Sequence, residues 1–358
     1  MKNIIKLTFA AVTLLTIATG CSEGYIDDIT QVAAGEDKTA PVVEIISPTT
    51  SNELLPLLPL TNTSKEFVFQ YKVSDDIEIG SVVAYIDGVQ IENIDNFLDY
   101  RNFGDSFTKN MGLGNHEFKV EAKDKSGKTT IKTFPFIIEK YALKNSSETL
   151  YLPFTAGNVF TDFVTSNNLN KIGSPTNVSG GHVGLAYKGA VDSYLTYPID
   201  NLFGSKELTT SFWYKVDPTT ASAGIIVVGD PTETNNDDSR KKGFRLFREG
   251  ANGTVKLNVG IGSGESWNDG FNLGTTTGWV HIAVVISETE SKIYLNGVLQ
   301  RTSTLSSPIT FTNCKDVVIG SGGPTFAYWG HKSDTSMIDE LRFFNKALTQ
   351  SEIQTIMQ

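Results

Sequence analysis

The stretch GWVHIAVVISETESKIYLNGVLQ, Gly278 to Gln300, decides the fold. From Gly278 to Ser287 apolar residues run almost without a break. A polar corner follows, and Lys292 to Gln300 holds Asn296-Gly297 between two apolar runs. Asn-Gly suits a two-residue turn because both positions need φ > 0, so this segment reads as a β-hairpin. Downstream, DVVIGSG (Asp316 to Gly322) reads as a strand and GPTFAYWGHKSDTS (Gly323 to Ser336) as a polar, aromatic loop. The chain closes with MIDELRFFNKALTQSEIQTIMQ, a strand and then a short helix, where Thr349 and Glu352 have the T-x-x-E spacing of a capping box.

The rest of the chain agrees with a β-rich reading. Its 358 residues are 39% hydrophobic and 20% charged, an ordinary globular composition, and the length implies two domains behind a leader. Short Val/Ile/Thr/Tyr/Phe runs are separated by Gly, Asn, Asp and Pro, the pattern of an all-β protein. A formal charge of −10 argues against nucleic acid or anionic lipid headgroups as partners.

At the amino terminus, Lys2 and Lys6 precede an apolar stretch, Leu7 to Ala18, that is too short to span a bilayer. It ends in Ala18-Thr19-Gly20-Cys21, which resembles a bacterial lipobox, with Ala18 where that pattern usually has Leu. The resemblance implies that residues 1–20 are a signal peptide and that Cys21 is lipidated, tethering a soluble protein to the outer membrane. Glu23, Asp27 and Asp28 resemble the surface-export signal of some Gram-negative lipoproteins. Cys314 then has no intrachain partner and reads as a small packing residue. Residues 21–40 are polar and acidic and read as a flexible linker.

From Pro41 onward, strands alternate. In KEFVFQYKVSDD (Lys65 to Asp76), Phe67, Phe69, Tyr71 and Val73 share one side, and HEFKVEAKDKSGK repeats the pattern. Period-2 alternation with turn signals between the strands indicates a small antiparallel sandwich. The phrases DKTAPVVEIISP, VSDDIEIGSVVAYIDG and GNHEFKVEAKDKSGK resemble bacterial immunoglobulin-like modules, which implies a spacer over residues 41–140. Asp75, Asp76 and Asp124 read as turn formers. The five leucines of NELLPLLPLTN (Asn52 to Asn62) read as a cover on the module's own core, with a docking surface as the alternative. Residues 141–149 link to a second domain, 150–358.

In that second domain W-x-H-I-A-V, K-I-Y-L-N-G and I-D-E-L-R-F-F-N-K-A-L-T-Q-S-E-I resemble the closing half of a laminin-G-like, concanavalin-A-like jelly roll. LTTSFWYKVD (Leu208 to Asp217) resembles the inner-sheet strand of that family. The expected fold is therefore all-β, an immunoglobulin-like sandwich followed by a concanavalin-A-like one. A fold of this kind does not give a function.

Hydrolases of this fold place paired carboxylates on one strand in an E-x-D-x-x-E arrangement. The chain has no such spacing: ETESK sits in a polar turn, and strand alternation sends the adjacent acids of IDEL to opposite faces. No H-E-x-x-H, P-loop, G-x-S-x-G or paired-cysteine motif is present. Sugar binding requires less, an aromatic face for the ring and amides or carboxylates for the hydroxyls. Trp213 and Trp279 lie in strands that resemble the family's core. Trp267, with Asn268, Asp269 and Phe271, and Trp329, with Tyr328 and His331, lie in Gly-rich loops. These seven residues form either a glycan platform or lids folded onto the sandwich edge. The resemblance also implies one calcium ion, with Asp162 and Asp339 as candidate ligands. The function expected is non-catalytic glycan binding at the cell surface, as an accessory of polysaccharide uptake with an outer-membrane transporter as a partner. The alternatives are a protein-binding adhesin and a polysaccharide-degrading enzyme.

Overall fold

The computed structural model describes residues 35–48, 57–154, 160–250, 253–274 and 277–358. Cys21 and the leader lie outside the described residues, as do Leu54 and Leu55 of the leucine-rich loop. The chain divides into two compact units, one of residues up to 46, 70–105 and 119–133, the other of residues 47–69, 106–118 and 134–358.

Among the described residues, seven strands precede residue 140: β1 (Val42–Ser47), β2 (Ser64–Ser74), β3 (Ile79–Ile86), β4 (Val89–Ile94), β5 (Asn102–Gly112), β6 (Gly114–Asp124) and β7 (Thr129–Ile138). They form a three-stranded sheet, β1-β2-β5, and a four-stranded sheet, β4-β3-β6-β7. The alternation expected of β2 is present, since Phe69, Tyr71 and Val73 are buried while Glu66, Gln70 and Lys72 are exposed. Asp75 accepts from the amides of Ile77 and Glu78, and Asp124 from Ser126 and the Lys128 amide, so both acids hold turns. Leu58 is fully buried, and Leu57 packs on Tyr141, Tyr151 and Phe163. These two leucines pack on core side chains.

The carboxy-terminal sandwich has β8 (Glu148–Leu152), β9 (Asn170–Ile172), β10 (Thr176–Ser179), β11 (Leu185–Lys188), β12 (Tyr194–Pro198), β13 (Leu208–Lys215), β14 (Ala223–Val228), β15 (Phe244–Glu249), β16 (Thr254–Gly260), β17 (Glu265–Asn272), β18 (Val280–Ile286), β19 (Glu290–Leu295), β20 (Val298–Thr304), β21 (Asp316–Ile319) and β22 (Met337–Phe344). The first sheet runs β10-β11-β22-β13-β18-β19-β20, with β8 also pairing β22. The second runs β17-β16-β15-β14-β21-β12-β9. Between them lies one core, to which β18 contributes Val280, Ile282, Val284 and Ile286 and β16 contributes Val255, Leu257 and Val259. Asn296 (φ 49) and Gly297 (φ 72) form the expected turn between β19 and β20. A four-residue helix, α1 (Asn236–Ser239), follows β14, and the capping box of Thr349 and Glu352 opens α2 (Gln350–Ile356).

Each sheet has a second face that the sandwich does not cover. On the first sheet, α2 buries Ile353 and Ile356 against Ala283, Val285, Tyr294 and Phe344. Further along the same face the alternation of β22 is broken. Trp213 pairs with Asp339 and Ser211 with Arg342, so two residues of β22 oppose one of β13, and Glu340 takes φ 52. This is a β-bulge. Ile338, Leu341 and Phe343 point into the core, while Asp339 accepts from the Val183 amide and Glu340 from Tyr151 and Arg342 on the outer side. The adjacent acids of IDEL therefore share one face, contrary to the alternation expected of them. Trp213 is likewise not a core residue. It stands half-buried on the outer face, its ring 3.6 Å from that of His182 and 5.4 Å from that of His281.

His281 is almost wholly buried there, and burial, with the charges of His182 and Arg342, pushes its pKa from 6.5 down to about 3. A depressed histidine contributes stability that is full above pH 6.5 and is lost as the pH falls towards 3. We expect the melting temperature to drop between pH 6.5 and 4, and His281→Gln to flatten part of that drop when the two melts are compared across the range.

Candidate functional site

The outer face of the second sheet carries the aromatic residues that the sequence singles out. Val227, Phe247 and Val318 leave an apolar strip there, and the segment 323–334 crosses it with Phe326 buried on top. The crossing is anchored at both ends. At its start Gly322 meets Gly224, where an added Cβ would lie 2.1 Å from the Gly322 nitrogen. At its end Asp334, only 1% exposed, pairs with the equally buried Arg248 at 3.1 Å and accepts from Tyr214. A buried pair of this kind is tolerated because its hydrogen bonds are filled. The Arg248 guanidinium also donates to the carbonyls of Asp217 and Thr220.

Between these anchors Trp329 is raised to 51% exposure, and Trp267 reaches it from β17 at 36% exposure. Their rings lie 6.1 Å apart at 28°, within the range of offset stacking. Tyr328 meets Trp329 edge-on at 5.2 Å. Trp267 belongs to an edge strand and not to the loop expected. Its alternation is obscured by Gly270 and by an irregularity in the pairing with β16.

The geometry divides the seven residues proposed for the platform. Trp267, Tyr328, Trp329 and Asp269 reach the surface, Asp269 near Lys256 and Arg301 at 3.6 and 3.8 Å. Asn268 does not reach it: it is wholly buried, donating to the Ser291 carbonyl and accepting from the Gly270 amide. Phe271 packs against the main core. His331 is 2% exposed and lies flat on Phe326 at 4.9 Å, and burial lowers its pKa against the pull of Glu249. The aromatic segment is thus part lid, through Phe326 and His331, and part platform, through Tyr328 and Trp329.

Arg240 is the residue that sequence reading missed. Its guanidinium lies 4.5 Å from the Trp329 ring centre, a cation–π distance. The same group pairs with Glu265 of β17 at 2.9 Å and Asp237 at 2.6 Å, and donates to the Asn236 carbonyl and the Tyr328 hydroxyl. Burial opposes its charge, but the bonds to Tyr328, Asp237 and Glu265 hold it firmly protonated. The strand that carries Trp267, the segment that carries Trp329 and the turn around α1 are therefore joined through one side chain. Nothing in the local pattern SRKKG marks this arginine. Beside it Asn235 caps α1, and Asp237 and Asp238 pair with Arg240 and Lys241. Arg245 lies beneath them, wholly buried, and donates to the carbonyls of Ser239 and Lys242. On the far side of segment 323–334 a hollow of about 120 Å³ is lined by Tyr194, Thr196, Pro231, Asp316 and Thr325.

The calcium candidates have other partners. Asp162 accepts from the amides of Tyr151, Val164 and Thr165 and from the Thr165 hydroxyl. Asp339 accepts from the amides of Val183 and Glu340, and burial raises it to about 7. The oxygens of both carboxylates are thus already bonded to N–H or O–H groups of the chain itself. Among the described residues no three His, Cys, Asp or Glu side chains cluster as metal ligands. Cys314 packs against the core, and burial raises its thiol to about 11, far from a nucleophile's range.

Residues 188–354 match the family described as the concanavalin A-like lectin/glucanases superfamily, in agreement with the two stacked sheets. No curated protein matches the chain. Among solved structures the chain is similar to domain 4 of a GH43 extracellular arabinanase from Geobacillus stearothermophilus, solved with arabinotriose. The identity is 22% and the TM-score 0.44, over 60% of this chain and all of that domain. It is also similar to the binding domain of botulinum neurotoxin serotype D, at 16% identity and a TM-score of 0.43, over 59% of this chain and half of that one.

Removing the Arg240 side chain unties the platform while the main core stays intact. Arg240→Ala should change the near-ultraviolet dichroism and quench the coupling of Trp267 and Trp329, while far-ultraviolet dichroism stays as in the parent. The loss of its partly buried pair with Glu265 should lower stability by about 1 kcal/mol in denaturant unfolding.

Proposed function

We propose that this protein is a non-catalytic glycan-binding protein of the cell surface, and that the Trp267–Trp329 pair is where it holds its ligand. The supporting observation is that two indoles from separate elements lie side by side, partly open to solvent, on a base fixed by Arg240. A pyranose presents an apolar C–H face and a rim of hydroxyls, which suits a shallow aromatic shelf edged by Tyr328 and Asp269. Of the carboxylates beside the shelf, Glu265 and Asp237 are tied to Arg240, and Asp269 lies near Lys256 and Arg301. A carboxylate fixed in that way is poorly placed to move a proton or attack a glycosidic carbon, which supports binding without bond cleavage.

The lipobox-like Ala18 to Cys21 supports attachment of such a protein to the outer membrane through lipidated Cys21. Residues 41–140, which resemble immunoglobulin-like modules, would then raise the binding domain above the surface. Many anchored copies would compensate for weak single-site affinity, as an accessory of a polysaccharide uptake complex requires.

Retention on polysaccharide tests the reading. Replacing both Trp267 and Trp329 with Ala should weaken retention of the full chain on the glycan it binds at least tenfold. The melting temperature should move by no more than about 4 °C, because both side chains are partly exposed. Retention that survives the double replacement unchanged would refute the placement of the site.

A further inference from the structure

The outer face of the first sheet holds a second aromatic cluster that the Trp267–Trp329 platform does not include. His182 is exposed and lies flat over Trp213, ring centres 3.6 Å apart and 15° from parallel. Trp279, half-buried, stands edge-on to His182 at 6.4 Å, its indole N–H donating to the Gly180 carbonyl. The segment that carries His182 is glycine-rich, with Gly180 and Gly184 both at positive φ. Part of this sheet face is closed by α2.

Two local costs coincide at this cluster. His281 is 1% exposed, its Nε2 shares a 2.7 Å hydrogen bond with the Ser211 hydroxyl, and its Nδ1 has no hydrogen-bond partner among the described residues. An unpartnered buried nitrogen is unfavourable in the absence of a ligand. Beside it, Glu340 is a non-glycine residue held at φ 52 in the bulge that brings two carboxylates to this face. Bulges and strained residues gather where a surface is shaped for a ligand.

We propose that His182, Trp213 and Trp279 form a second carbohydrate site, on the sheet opposite the first, so that one domain holds two glycan segments. The chemistry favours a sugar over other ligands. The surface is flat and aromatic, which suits a ring with an apolar face. The proposal shares the stacking logic of the first site but none of its residues, so either can fail alone. Two sites facing apart would let one molecule bridge two chains or grip one chain twice.

Native gels cast with soluble arabinan, galactomannan, xyloglucan or mixed-linkage β-glucan provide the test, with the full chain as the migrating species. His182→Ala alters only an exposed side chain, and His182→Ala combined with Trp279→Phe keeps the bulk of the indole site. In at least one gel His182→Ala should weaken retardation roughly tenfold, the effect of losing one stacked ring. Retardation that survives in the Trp267→Ala/Trp329→Ala protein should vanish when His182→Ala and Trp279→Phe are added. The proposal is overturned if the His182 variants migrate like the parent in every gel, or if the Trp267→Ala/Trp329→Ala protein alone shows no retardation in any. Loss of retardation in the His182 variants, with none from the Trp267→Ala/Trp329→Ala pair, would leave this site standing and remove the first. A parent chain that no gel retards would remove both.

Discussion

A sandwich covers only the inner face of each of its sheets, and the other two faces must be covered or made polar. This constraint organises the carboxy-terminal domain. On the first sheet, α2 closes part of the outer face with Ile353 and Ile356. On the second, the segment 323–334 lays Phe326 over Val227, Phe247 and Val318. Neither cover extends over its whole sheet. The remaining area carries Trp213 and the exposed His182 on the first sheet and Trp267 on the second, rings large enough to shield backbone and polar enough at the ring nitrogen to meet water.

Three arginines of one region show how context sets the work of a side chain. Arg248 enters the end of the core and is neutralised there by Asp334. Arg245, on the outer side, has peptide carbonyls as its hydrogen-bond acceptors, and burial lowers its pKa to about 10. Arg240 sits at the boundary with water, paired with two carboxylates and lying against an indole. The first holds the aromatic segment at its end, the second holds the turn that carries the third, and the third supports the platform. The binding surface is therefore the outermost layer of a stack whose inner members are charged. Arginine can fill each role because its flat guanidinium donates in several directions and also stacks on rings.

The local features were legible in the sequence because they depend on neighbours in the chain. The Asn296-Gly297 turn, the capping box at Thr349 and the alternation of β2 each follow from a few consecutive residues and appear as expected. The reading failed where a strand departs from strict alternation. One bulge in β22 moved Asp339 and Glu340 to a common face, and an irregular pairing hid β17 behind the glycines around Trp267. A bulge is set by the partner strand's register as much as by its own residues, so it leaves little trace in the sequence.

By itself, then, the sequence determined that the chain is all-β, that its last two hundred residues stack two sheets, and that Trp267 and Trp329 stand apart from the core pattern. Only the tertiary structure decided that these two indoles, sixty-two positions apart, lie 6.1 Å from each other, that Asn268 and His331 are buried beneath the surface, and that Arg240 supports it. The physical reason lies in the range of the forces. Turn geometry and burial periodicity act over a few residues and are written along the chain. The meeting of an edge strand, a crossing segment and a buried cation depends on how two sheets pack, which no local pattern records.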